Sequence, residues 1–171
     1  MTRPGILLLS LGVCSWALSG AAQATPSKPL SYDAATNTVT FALQAGAPPA
    51  PKGSGSFNFN GYSNGAATLV VPPSSKIVMN FVNLDGVPHS AMIIADADPM
   101  PAIGGDPAIP RAYTKDVAAG LPQGATDIMS FNAPAAGSFR IFCGVPGHGQ
   151  SGMWIRFKVD PNAKTPSWLT S

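Results

Sequence analysis

Glutamate is absent from this 171-residue chain, and only 11% of its residues are charged, against about 25% in an ordinary domain. Ten Lys and Arg stand against eight Asp, for a formal net charge of +2. That balance, without basic runs, gives no footing for nucleic-acid binding or for an anionic membrane held by charge. Cysteine is nearly as scarce, with two residues, and so is histidine, with two. These counts exclude a disulfide-dense scaffold and argue against a structural zinc site, which wants two or more cysteines together. A multi-copper oxidase or reductase needs many more histidines, and a dinuclear copper centre needs a second cysteine, so the reading is not an enzyme. No apolar run reaches the roughly 20 residues that a membrane helix requires. Helical periodicity is nowhere sustained, and no internal repeat is visible.

The longest apolar stretch lies at the N-terminus, from Gly5 to Leu18, behind Arg3. Small residues follow and end in Ala22-Gln23-Ala24, the pattern that signal peptidase reads. Residues 1–24 are therefore expected to be a cleavable secretory signal, with Thr25 starting the mature chain; an uncleaved anchor is the rival. Cys14 follows Val13 rather than a small residue, which speaks against lipidation there. The exported protein would be periplasmic or on the outer face of the cytoplasmic membrane. Cleavage leaves Cys143 as the single cysteine and the formal charge at +1. A lone thiol in an oxidising compartment invites oxidation unless something occupies it. The plainer alternative is a buried cysteine acting as a small hydrophobe.

What the chain has in quantity is glycine and proline, 18 of each, punctuating short runs of alternating character. That pattern reads as all-β, a sandwich or barrel of about eight strands. The expected strands are 37–44, 56–60, 66–71, 76–83, 89–95, 126–133, 138–143 and 153–159. The segment 46–55 is expected as a connector, and the stretch 96–124 as a long loop that wraps the outside or carries a short helix. The polar tail after Asp160 is expected to fray. About 147 mature residues suffice for one domain, 25–171, with its core near 30–160.

Strand parity places Phe139, Ile141 and Cys143 on one face, with Arg140 on the other. It likewise aligns Met153, Ile155, Phe157 and Val159, with Arg156 and Lys158 facing water. Cys143 thus ends one inward row and Met153 begins the next, at the same end of the fold. Between them FCGVPGHGQSGMW spaces its donors as Cys-x4-His-x4-Met, and the second histidine, His89, lies upstream in NLDGVPHSAMII. A thiolate, two imidazoles and a thioether are the donors of a blue copper centre. The thiolate suits Cu(I), imidazole suits both oxidation states, and the thioether is a soft, weak donor. Beside His148, small and cyclic residues leave the ring edge open as an electron exit. Met79, Met92 and Met129 read as core packing and Met100 as a loop residue. A Cys143–His148 nucleophile pair lacks an orienting group and leaves methionine without purpose.

The Cys-x4-His-x4-Met spacing is similar to that of the cupredoxins, in their sulfocyanin and rusticyanin branch. GSFNFNGYSNG, the strand pair from VPP to NFVN, VPHS and CGVPGHGQSGMW resemble sulfocyanins in that order, across most of residues 30–160. The resemblance implies a Greek-key β-sandwich and one copper ion, cycling between Cu(I) and Cu(II), held by His89, Cys143, His148 and axial Met153. It implies an electron carrier between respiratory redox proteins, such as a cytochrome c and a terminal oxidase. A periplasmic copper store or chaperone is the alternative. Phe81, Phe142 and Trp154 would give the copper an apolar surround. Many of these proteins carry Asn after the first histidine; here the position is Ser90, whose hydroxyl can still bond the cysteine loop. A monomer, with at most peripheral membrane association, completes the expectation.

Overall fold

A computed structural model describes Met1 and residues 29–48 and 55–171. The expected leader, Cys14 and the middle of the 46–55 connector lie outside the described residues. Within them the chain is all-β, with nine strands: β1 (Leu30–Asp33), β2 (Thr38–Ala45), β3 (Ala67–Val71), β4 (Lys76–Asn83), β5 (Met92–Ala95), β6 (Thr126–Asn132), β7 (Gly137–Phe142), β8 (Trp154–Val159) and β9 (Ser167–Thr170). One sheet runs β1-β2-β4-β6 and the other β5-β7-β8-β3-β9. The pairs β2–β4 and β3–β8 are parallel and the rest antiparallel. From β2 to β7 the chain keeps changing sheet, and these crossings place sequence neighbours on opposite layers.

Alternation builds the core. Ile77, Met79 and Phe81 of β4 point inward, and Ile155, Phe157 and Val159 of β8 meet them from the other sheet, all at most 1% exposed. Arg156 and Lys158 face water as parity requires. Phe131 of β6 packs edge-on to Phe157 across the sandwich, with centroids 6.0 Å apart. Burying each such side chain contributes about 1.5–3 kcal/mol. Met79, Met92 and Met129 are buried packing residues, as expected.

Three expectations need correction. The tail does not fray: β9 adds an antiparallel edge to β3, and Trp168 lies 5.1 Å from the ring of Phe41. Its polar composition hid one aromatic anchor, which is enough to dock a short edge strand. Residues 56–60 form no strand; Phe59 makes only isolated bridges to Ala45 and Tyr62. Asn60 holds a positive φ there and bonds β2 through its side chain instead of a ladder. β1 lies before 37, where no strand was expected, and pairs with β2.

The stretch 96–124 contains no helix. It lies alongside residues 89–93 and satisfies their backbone. Ile93 N–H donates to Ala112 O (2.8 Å), Thr114 N–H to Ala91 O (2.8 Å), and His89 and Leu121 exchange two bonds (3.1 and 2.8 Å). Ile109, Ala112 and Leu121 bury their side chains in the core. A 29-residue loop in a compact domain usually has a function, and this one frames the segment that carries His89.

Candidate metal centre

The β7–β8 ladder ends at the pair Phe142–Trp154. One further bond, from Cys143 N–H to Met153 O (3.1 Å), carries the pairing a step beyond it. Residues 144–152 then bow outward and return, with Met153 N–H donating to His148 O (3.0 Å). Gly147 N–H donates to Ala102 O and Gly104 N–H to Gly144 O, so the long loop props this bow from outside. Gly149 is required by packing. A Cβ there would lie 1.8 Å from the Phe142 ring, which runs beneath the bow.

At this end of the sandwich one donor atom each from His89, Cys143 and His148 lie within 4.8 Å of one another. The two Nδ1 atoms are 3.2 Å apart, and His148 Nδ1 is 3.6 Å from Cys143 Sγ. His89 and Cys143 are fully buried and His148 is half-buried. Met153 is fully buried in the same core, next to both loop residues through its backbone. All four residues named from the sequence therefore fall at one end of the molecule, and three of them bring donor atoms together.

Ser90 ties the site to its surroundings. Its N–H donates to Cys143 Sγ (3.5 Å), its hydroxyl donates to Val117 O (2.7 Å), and it accepts from Gly144 N–H (3.0 Å). The hydroxyl thus bonds the cysteine loop as expected, and it also fastens the 96–124 stretch to it. Burial raises the Cys143 thiol above its ordinary pKa, partly offset by the Ser90 and Val145 amides that donate to the sulfur. Burial lowers both histidines, His89 against the opposing pull of Asp85, and His148 with added repulsion from His89. Both shifts favour the neutral imidazole, the form that binds metal.

The sequence reading passed over two neighbours. Phe57 packs on His148 with centroids 4.4 Å apart and meets His89 edge-on at 6.1 Å. Asp85 accepts a hydrogen bond from His89 Nε2 (3.1 Å). An aromatic in GSFNFN and an aspartate four residues before the histidine were the available signals, but neither spacing says what folds onto what. Trp154 is the reverse case. It belongs to the outer cluster with Met92, Ile94 and Phe142, stacked under Arg140 at 4.6 Å, rather than in the core that holds Cys143 and Met153. Phe142 also faces this outer layer, because it lies one residue out of phase with Cys143. Of the expected surround, Phe81 alone lies in the same core as Cys143.

The converging donors are a thiol and two imidazoles, with no hard carboxylate among them, and Met153 adjoins them through its backbone. That chemistry fits copper. Comparison with known proteins agrees. A family model described as the Sulfocyanin (SoxE) domain matches residues 25–170. A protein named sulfocyanin from Sulfolobus acidocaldarius is 30% identical over 118 residues, covering 64% of this chain and 59% of that one. The chain thus spans under two thirds of that relative's length. Among solved structures, auracyanin B is similar at 25% identity and a TM-score of 0.53, covering 71% of this chain and 88% of its own. Reduced auracyanin from Roseiflexus castenholzii shares the fold at 19% identity and a TM-score of 0.51, covering 71% and 97%. The copper-type donor set at one end of a two-sheet sandwich and the match over residues 25–170 agree: this chain belongs to the sulfocyanin domain family of blue copper cupredoxins, which bind one copper.

Proposed function

We propose that the protein is a one-electron carrier whose copper is held by His89, Cys143 and His148, with Met153 as a weak axial donor. The observation that carries this reading is the convergence of two imidazole nitrogens and one sulfur within 4.8 Å, on a hydrogen-bonded frame drawn from three separate segments. When bound, copper supplies the exchange between Cu(I) and Cu(II). The protein's part is to hold the donors still, so that little rearranges when the charge changes. Cys143 offers sulfur braced by two amides, His89 is locked from behind, and His148 lies half-exposed under Phe57. Leu84, Val87 and Ile103 are exposed on chain segments next to Asp85, His89 and Ala102, which hold the site. Exposed apolar residues on these segments, with little net charge, suit brief docking with redox proteins rather than long-range steering. A cytochrome c as donor and a terminal oxidase as acceptor, both outside the cytoplasm, are the partners proposed, with the protein acting as a monomer after export.

The test is copper(II) titration of the purified protein. An intense visible band and a narrow copper hyperfine splitting are expected, and Cys143→Ser abolishes the band; its persistence would falsify the assignment. Met153→Leu keeps copper and raises the potential, because the cupric form loses a donor. Tight retention of copper beside an apo-acceptor separates a carrier from a store or chaperone, which hands it over.

A further inference from the structure

His89 is held from two sides. Its backbone is bridged to Leu121, and its ring stands between His148 Nδ1 and the Asp85 carboxylate, at 3.2 and 3.1 Å. The carboxylate is itself built into place. Asp85 N–H donates to Asn83 Oδ1 (2.9 Å), Gly86 N–H donates to Asp85 Oδ1 (2.6 Å), and Ser56 adds a side-chain hydrogen bond. Asn83, fully buried, donates in turn to Val87 O and Leu121 O, both at 2.8 Å. Behind Asp85 lies Gly46, whose φ is +62° and where a Cβ would fall 2.3 Å from Asp85 Cβ. Segments between β2 and β3, after β4 and within the long loop are thus arranged around one carboxylate that is 19% exposed and faces one ring nitrogen.

We infer that Asp85 is a positioning residue for the metal: it keeps the His89 proton on Nε2, so that Nδ1 presents its lone pair to copper, and its negative charge favours Cu(II) and lowers the reduction potential. The inference rests on the copper-carrier reading. A carboxylate oxygen can only accept, so Nε2 is the donor and Nδ1 the free base. A carboxylate behind a ligating imidazole raises its basicity and fixes its orientation, and loss of such a partner changes metal affinity by about 10–100-fold. The effect is largest for the more highly charged ion. Asp85 therefore opposes the methionine and the apolar core, which favour Cu(I), and the potential is the balance between them.

Two variants and one metal-free measurement test this at a single neutral pH, on the full exported chain with copper(II) as the only additive. Nitrogen NMR of the copper-free wild type reads the His89 tautomer directly, and the expected form carries its proton on Nε2. Asp85→Asn retains an acceptor but no charge. It keeps the visible band while the Cu(I)-to-Cu(II) affinity ratio rises about tenfold, a shift of about 59 mV upward for one electron. Asp85→Ala loses the tautomer preference and binds copper(II) about tenfold or more weakly. A wild-type His89 protonated on Nδ1 overturns the inference even if neither variant folds. A blue wild type whose Asp85→Asn variant has an equal or lower potential overturns it and leaves the carrier reading standing. A wild type that binds copper without the intense band overturns both.

Discussion

Ser90 joins its own segment to two others with one hydroxyl and one amide: the amide reaches Cys143, and the hydroxyl reaches both Gly144 and Val117. A side chain so short can do this only because Val117 and Gly144 are brought to within 3.0 Å of it. Ser90→Ala leaves a buried amide and carbonyl without their partner. It should cost about 1–3 kcal/mol, read by chemical denaturation of the copper-free protein, and it should broaden the copper signals as the loop loosens. At this scale the candidate donors were legible because His and Cys are rare in this chain, and one Met stands at a fixed spacing from them. Phe57 and Asp85 were not legible. Phe and Asp are common residue types, and their roles come from which ring they reach in space.

Among the elements, the strands with clean alternation were readable in the sequence, and β4 occupies the residues expected, 76–83. The edge strands were not. β9 has four residues, two of them exposed, and is held by the packing of Trp168 on Phe41 and Tyr62. Trp168→Ala should cost about 2–3 kcal/mol for a half-buried aromatic and lower the melting temperature while leaving the visible spectrum intact, since β9 lies at the far edge of its sheet from β5 and β7. Arg140 was placed on the outer face by parity, but parity says nothing of burial. It is 6% exposed, bonded to Asp96 (2.6 Å) and Asp98 (3.0 Å) and stacked on Trp154. Arg140→Lys keeps the charge but loses the planar fork and the stacking. A loss of about 1–2 kcal/mol is expected by denaturant titration, because Asp98 is well exposed and contributes little.

For the molecule as a whole, the candidate donors sit on strands and loops tied to one another by backbone hydrogen bonds. The copper-free protein should therefore keep its β circular dichroism and melt lower than the copper form, since a ligand that binds only the folded state adds RT ln(1 + [L]/Kd); equal melting temperatures would contradict this. The sign of the pH dependence follows from the site. The Cys143 thiol is raised by burial and the histidines are lowered, so above pH 6.5 copper displaces one proton, from the sulfur. Copper(II) affinity, measured by competition with a chelator, should rise about tenfold per pH unit from pH 7 up to the thiol's own pKa. A slope near zero would mean that the sulfur is not a ligand.

By itself the sequence determined the class of the fold, through period-two alternation, and the candidate donors, through the scarcity of His and Cys and through spacing. Both are local properties of the chain, readable without knowing what touches what. Only the tertiary structure decided that the 96–124 stretch would frame His89, that Phe57 would cover His148, and that Asp85 would stand behind the buried ring. Those are contacts between segments far apart in the chain or folded back by a turn. Chain crossings and the packing of whole sheets set them, and no pattern within a single segment encodes them.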